Sequence, residues 1–224
     1  MNKHPILWKF WLIWVIVSAT SEFIGVSCGL LAVATIAFIS TPGLGKMVSS
    51  EGLLISSLLG GIITGAIIGI FQVLVLRKYF SHIKYWITGS IAYSAVAMSI
   101  IWQMKPWEGA SNVIWLKSLS IGVIVGAIVG FVQWQALSPH FTQASRRKPV
   151  LWFLISPISM MCSFPLLFFG DADFVFNLFS PFFILEPRIF IYLGGFILHA
   201  AITGLCLVWL LQQRSAIAPR PNLG

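Results

Sequence analysis

The segment GIITGAIIGIFQ at residues 61–72 returns as GVIVGAIVGFVQ at residues 122–133. In each copy three glycines stand at i, i+4 and i+8, and a glutamine follows three positions on. A spacing of four brings them onto one face of an α-helix. The surrounding runs, 53–76 and 113–137, reach the roughly twenty apolar residues needed to cross a hydrocarbon core of about 30 Å. In lipid, where apolar side chains gain nothing from meeting each other, a smooth strip of small residues lets two helix backbones approach and associate. Gly61, Gly65 and Gly69, with Gly122, Gly126 and Gly130, are therefore read as helix-packing positions. The fold class that follows is an all-α polytopic membrane bundle.

Working outward, further apolar runs lie at 85–104, 150–170 and 188–211, each bounded by charge, Pro or Gly. The composition agrees: 58% of the 224 residues are hydrophobic and only 9% are charged, with mean hydropathy +0.93. A soluble domain is about a quarter charged, so this balance excludes a soluble enzyme, a nucleic-acid-binding domain and a secreted disulfide scaffold. Cys28, Cys162 and Cys206 sit inside apolar runs without metal-ligand spacing and are read as small packing residues. Nothing in the chain calls for a metal or a cofactor.

Residues 5–40 are harder to divide, because Lys9 and Glu22 are their only charges. As one helix these 36 positions would extend about 54 Å. A cleaved signal peptide, a hairpin of two short spans and one long span with its ends in the interface all compete. The net charge of +8 decides between them. With a single crossing, Lys3, Lys9, Arg77, Lys78, Lys84, Arg146, Arg147, Lys148, Arg214 and Arg220 share one side with no acid. Lys46, Lys105, Lys117 and Arg188 share the other with Glu51, Glu108, Asp171, Asp173 and Glu186. That partition satisfies the positive-inside rule; the hairpin, or removal of the first crossing with 23–40 kept as a span, would turn the basic loops outward. The expectation is one transmembrane domain over 1–212, with spans at about 8–35, 53–76, 85–104, 113–137, 150–170 and 188–211. Both termini are expected in the cytoplasm, with a disordered tail at 213–224.

The odd spans open alike, with Lys9 and Trp11, Lys84 and Trp86, and Lys148 and Trp152. Trp11, Trp86 and Trp152 are read as interface anchors, since an indole suits headgroup depth. Three helical hairpins, 1–2, 3–4 and 5–6, result. The sixth span carries a faded strip in which Ala200 and Gly204 hold the last two small positions and Leu207 replaces the glutamine. Gln72 and Gln133 are assigned to interhelical hydrogen bonds.

The pattern Gly126-x-x-x-Gly130-x-x-Gln133-Trp134-x-x-Leu137, with its partner Gly65-x-x-x-Gly69-x-x-Gln72-x-x-x-Leu76-Arg77, resembles a repeated GxxxGxxQWxxLR segment. That segment belongs to small multi-pass bacterial membrane proteins, chiefly cyanobacterial, which carry no assigned activity. Val73 follows Gln72 where the pattern has Trp. The resemblance implies a plasma or thylakoid membrane location and nothing catalytic.

Glu22 is the only acid within a span. An ionisable group at mid-membrane is costly unless paired or protonated, so it is a functional candidate by default. It shares a stripe with Ser18, Gly25 and Gly29. His199, with Thr203 and Cys206 on its face, stands at comparable depth in the sixth span, and Glu22 and His199 are expected to form a buried pair. Pro157 and Pro165 should disturb the fifth span, and 171–186 should lie along the outer leaflet. There is no Gly-x-Ser-x-Gly, no His-Glu-x-x-His and no Walker A or dinucleotide fingerprint, so an enzyme is not expected. Two classes remain. One is a non-catalytic scaffold, assembly or accessory factor for a membrane complex, with lipid and a membrane-protein partner or a second copy as its contacts and no nucleic acid. The other is a small-solute or ion carrier built on Glu22 and His199.

Overall fold

The computed structural model describes residues 4–40, 49–80, 83–104, 111–140, 150–167 and 188–217. They form six α-helices: α1 (His4–Ser40), α2 (Ser50–Leu76), α3 (Lys84–Met104), α4 (Ser111–Leu137), α5 (Val150–Leu167) and α6 (Arg188–Ile217). A short 3-10 turn, Ser138–His140, follows α4. Among the described residues there is no strand. Five helices are long and apolar enough to span a membrane, and α5 is a shorter apolar helix.

Residues 5–40 form one unbroken helix, so a hairpin of two short spans is not what this run makes. α2 starts where Ser49 Oγ accepts the Gly52 N–H at 3.1 Å, with Glu51 in the positively polarised first turn. At its other end the amides of Tyr79 and Phe80 both reach the Leu76 carbonyl, each at 2.9 Å. α5 continues through Pro157 and Pro165. α6 extends to Ile217, five residues into the stretch expected as tail, while 171–186 and the final residues lie outside the described set.

Each helix packs on the next, and α6 returns to α1, closing a ring. Large apolar side chains such as Leu12, Ile16, Phe131, Leu154 and Phe190 face outward, while the interior collects serines, small residues and a few aromatics. That inversion of the soluble pattern suits lipid as the solvent. Cys206 is buried, but Cys28 and Cys162 are exposed on the outer surface and do not pack inside the bundle. One end of the ring, where α1, α3 and α5 begin, is closed by a cluster with members from all six helices, including Phe10, Leu76, Trp86, Leu137, Trp152 and Leu210.

The glycine strips lie at the closest helix contacts. A Cβ on Gly126 would stand 2.5 Å from Pro157 Cα, and one on Gly122 2.8 Å from the Met160 carbonyl oxygen. Gly61 and Gly65 meet the α3 backbone at Ser94–Ala95 and Ser90–Ile91 in the same manner. So the strip of each even helix faces the odd helix that follows it. On its other flank α2 meets α1 through Gly60 against Gly29, where Thr64 Oγ1 donates to the Gly25 carbonyl at 2.9 Å.

Candidate functional site

Three tryptophans meet on the axis of the ring. Trp14 and Trp86 stand edge to face with centroids 6.4 Å apart, and Trp86 and Trp152 repeat the arrangement at 6.2 Å. Each indole N–H is satisfied by the preceding even helix. Trp86 Nε1 donates to Gln72 Oε1 at 2.9 Å and Trp152 Nε1 to Gln133 Oε1 at 3.0 Å. Trp14 Nε1 donates to Thr203 Oγ1 at 3.3 Å.

This corrects the reading of Trp86 and Trp152 as interface anchors: each is 1% exposed and turned into the bundle. A buried amide acceptor removes the reason for the indole to seek headgroup water. Trp11 is also not their counterpart. It donates to the Ala201 carbonyl at 3.1 Å and stacks on the exposed Trp8, whereas Trp14 enters the axial group. The signal that separates them is a serine one turn further on. Trp14 is followed by Ser18, Trp86 by Ser90 and Trp152 by Ser156, all buried, while Trp11 is followed by Val15.

Taking these tryptophans as the reference moves the third strip by one turn. Thr203 stands where Gln72 and Gln133 do, with Leu207 beside Leu76 and Leu137, all three leucines fully buried. Ala200 then falls at the register of Gly69 and Gly130, and Phe196 at that of Gly65 and Gly126. Ala200 and Phe196 pack on Val15 and Ala19 of α1, the positions matching Ile87 and Ile91 of α3. Gly204 lies one step beyond, where a Cβ would meet the Trp14 ring at 2.8 Å. Larger residues thus hold α6 further from α1 than the glycines hold the other two pairs.

The ionisable residues sit in that wider seam. His199 Nε2 lies 3.6 Å from Glu22 Oε1, and both residues are buried. On the other side of the ring, His199 Nδ1 is 2.7 Å from Ser159 Oγ of α5, which also lies 3.3 Å from the His199 carbonyl. A single chain of polar groups therefore runs α1, α6, α5. Positions equivalent to His199 in the other even helices are Ile68 and Val129, both buried and apolar.

The pair can hold one proton in two ways. With that proton on the Glu22 carboxyl, the imidazole is neutral, keeps its own N–H at Nε2 facing the carboxyl and accepts the Ser159 hydroxyl at Nδ1. An imidazolium uses both ring N–H groups, and Ser159 then turns its own proton to the His199 carbonyl. Neighbouring hydroxyls are internally satisfied: Thr203 donates to the His199 carbonyl at 2.9 Å and Ser21 to the Ser18 carbonyl at 2.9 Å. Gln72 Nε2 reaches Ser18 Oγ at 3.4 Å, so both ends of that amide bond across helices. Of these serines the sequence singles out only Ser18, on the stripe of Glu22; Ser159, Ser90 and Ser156 are added by the structure.

The fold defines a class: an apolar, multi-pass helical bundle of membrane type, with a buried carboxyl and imidazole in one of its helix seams. No protein-family model, curated protein or solved structure matches the chain.

Proposed function

We propose that this chain is a non-catalytic scaffold, assembly or accessory factor for a membrane complex in the plasma or thylakoid membrane of a bacterium. The observation that carries this reading is the axial tryptophan group. Three interlocked indoles, each hydrogen-bonded to the preceding even helix, close one end of the ring with rigid apolar mass. Such a core favours a fixed shape that presents its outer faces to a partner. We further read the bundle as three copies of one even–odd helix unit, α2–α3, α4–α5 and α6–α1, in keeping with the resemblance to proteins bearing the GxxxGxxQWxxLR segment. Both termini are assigned to the cytoplasm on the partition of charge.

Ser159, His199 and Glu22 have the residue types of a hydrolytic triad, but Ser159 is fully buried. An attacking hydroxyl must meet a carbonyl, and this burial supports a structural role for the serine. Affinity purification of the full chain from native membranes tests the proposal: a reproducible stoichiometric partner supports it, and solute flux in vesicles without such a partner overturns it. Reporter fusions at Lys46, Lys84 and Lys148 test the topology, and an external signal at Lys84 would reverse it.

A carrier remains the second reading, favoured by the 3.6 Å contact of Glu22 with His199. Buried acid–imidazole pairs are one way in which membrane carriers hold a proton. Proton-coupled flux that Glu22→Gln abolishes would select it.

A further inference from the structure

Between α1 and α2, near the end closed by the tryptophans, a groove of about 150 Å³ opens on the outer surface of the bundle. Ile13 and Val17 form one wall, and Phe71 and Leu74 the other. Ile13, Phe71 and Leu74 are exposed, so the groove faces the surrounding lipid rather than the interior of the ring. Phe10 and Tyr79, whose rings meet edge to face at 4.6 Å, also line it. Lys78 stands at the rim.

Polarity along the groove runs in one direction. Phe71 and Leu74 of α2 are followed by Lys78 in the turn just past the end of that helix, apolar deep and cationic at the mouth. On α1, Lys9 lies four residues before Ile13 and eight before Val17, one turn beyond the wall on the same stripe, and it is exposed. Lys78 therefore lines the mouth from the turn after α2, and Lys9 stands on α1 one turn beyond the other wall. The acids nearest in sequence are Glu22, buried in the α6 seam, and Glu51, at the far end of α2. Neither offsets the lysines. An apolar cleft for a chain, beside two cations at headgroup depth that no acid among the described residues offsets, is the complement of an acidic phospholipid.

We propose that this groove binds one phospholipid with a net negatively charged headgroup, its acyl chain lying between α1 and α2 and its phosphate between Lys9 and Lys78. A zwitterionic lipid fits the cleft equally well but leaves the two cations less compensated. Selectivity therefore resides at the rim and capacity in the cleft.

The full chain, delipidated in mild detergent, is titrated with phosphatidylglycerol or phosphatidylcholine, and bound lipid is counted by native mass spectrometry. One phosphatidylglycerol per chain is expected to bind in preference to phosphatidylcholine. A lysine beside an anionic headgroup favours binding by about fivefold, so Lys9→Gln with Lys78→Gln should weaken the acidic lipid by more than tenfold and leave phosphatidylcholine unchanged. Arg77→Gln removes a neighbouring exposed cation that does not line the groove and should change neither. Val17→Trp, which fills the cleft, should lower binding of both lipids. Equal retention of the two lipids by the parent chain would overturn the proposal, as would undiminished phosphatidylglycerol binding in the double lysine variant. Displacement of lipid by a second copy of the chain, detected as a dimer cross-linked through Ile13→Cys, would overturn it too.

Discussion

The indole N–H of Trp86 donates to Gln72 Oε1 at 2.9 Å inside the bundle, and this one bond fixes both the rotation of α3 and the depth of α2. Replacing Gln72 with Leu keeps the volume but leaves a buried indole donor unpaired. Polar pairs in helical membrane proteins average only about 0.6 kcal/mol in double-mutant cycles, since separated partners find others. Trp86 is held on the axis by Trp14 and Trp152 and has no such freedom. Gln72→Leu is therefore expected to cost about 1–2 kcal/mol, near the orphaned-donor range. Adding Trp86→Phe should recover part of the loss. Reversible unfolding in mixed micelles measures both, and strict additivity of the two changes would refute the coupling.

The third pair makes a graded comparison available. Trp14 donates to Thr203 over 3.3 Å, longer than either glutamine contact. Thr203→Val removes the acceptor without changing shape, and should cost about 0.5–1 kcal/mol, less than Gln72→Leu. If it costs more than the glutamine variant, the α6–α1 pair is not the weaker analogue of the other two.

Glycine substitutions should separate along the strip by what each Cβ meets. At Gly126 the added carbon would fall 2.5 Å from Pro157 Cα and 2.7 Å from the Ser156 carbonyl, both backbone atoms that only helix displacement can clear. Gly126→Ala is expected to destabilise by about 1–3 kcal/mol, the range for overpacking. Gly194 has nothing within 4 Å of its built Cβ. There Gly194→Ala should be neutral or stabilise by up to about 1 kcal/mol, because alanine suits a helix better. Thermal inactivation in detergent ranks the two; equal effects would deny the strip its role in packing.

The glycine strip was the most legible part of the chain because packing in lipid leaves a steric signature with a fixed period. Which neighbour it faces was not legible. A strip reports that something comes close, and both flanking helices of a ring are candidates. Trp11 and Trp14 lie one helical turn apart and behind the same lysine, so an aromatic-plus-cation rule cannot choose between them; the serine four residues on does. The belt rule also misplaces Trp86 and Trp152, because it assumes that an indole must find water, and a glutamine on the adjacent helix serves instead. Glu22 stood out because a lone carboxyl in an apolar run is costly wherever it goes. Ser159 did not, since serine in a membrane helix can satisfy itself on its own backbone, as Ser156 does on the Trp152 carbonyl.

Glu22 and His199 give the variant series that separates structure from transport. Removing one member of a buried pair leaves the other uncompensated, and losses of about 3–5 kcal/mol are typical, whereas replacing both with apolar residues is often neutral or stabilising. His199→Leu alone should therefore destabilise the chain strongly, and Glu22→Leu with His199→Leu should restore most of the stability, because neither charge is then left unpaired and Ile68 and Val129 already occupy the positions matching His199 in the other two even helices. Glu22→Gln, which keeps a hydrogen-bond acceptor for Nε2, should fall between them. For a scaffold, the doubly apolar chain assembles with its partner as the parent does. For a carrier, it folds and assembles but no longer moves its solute, since the only acid–imidazole contact among the described residues is gone. Micelle unfolding read beside partner retention decides the matter: a well-folded double variant that loses its partner would mean that the pair serves recognition, contrary to both readings.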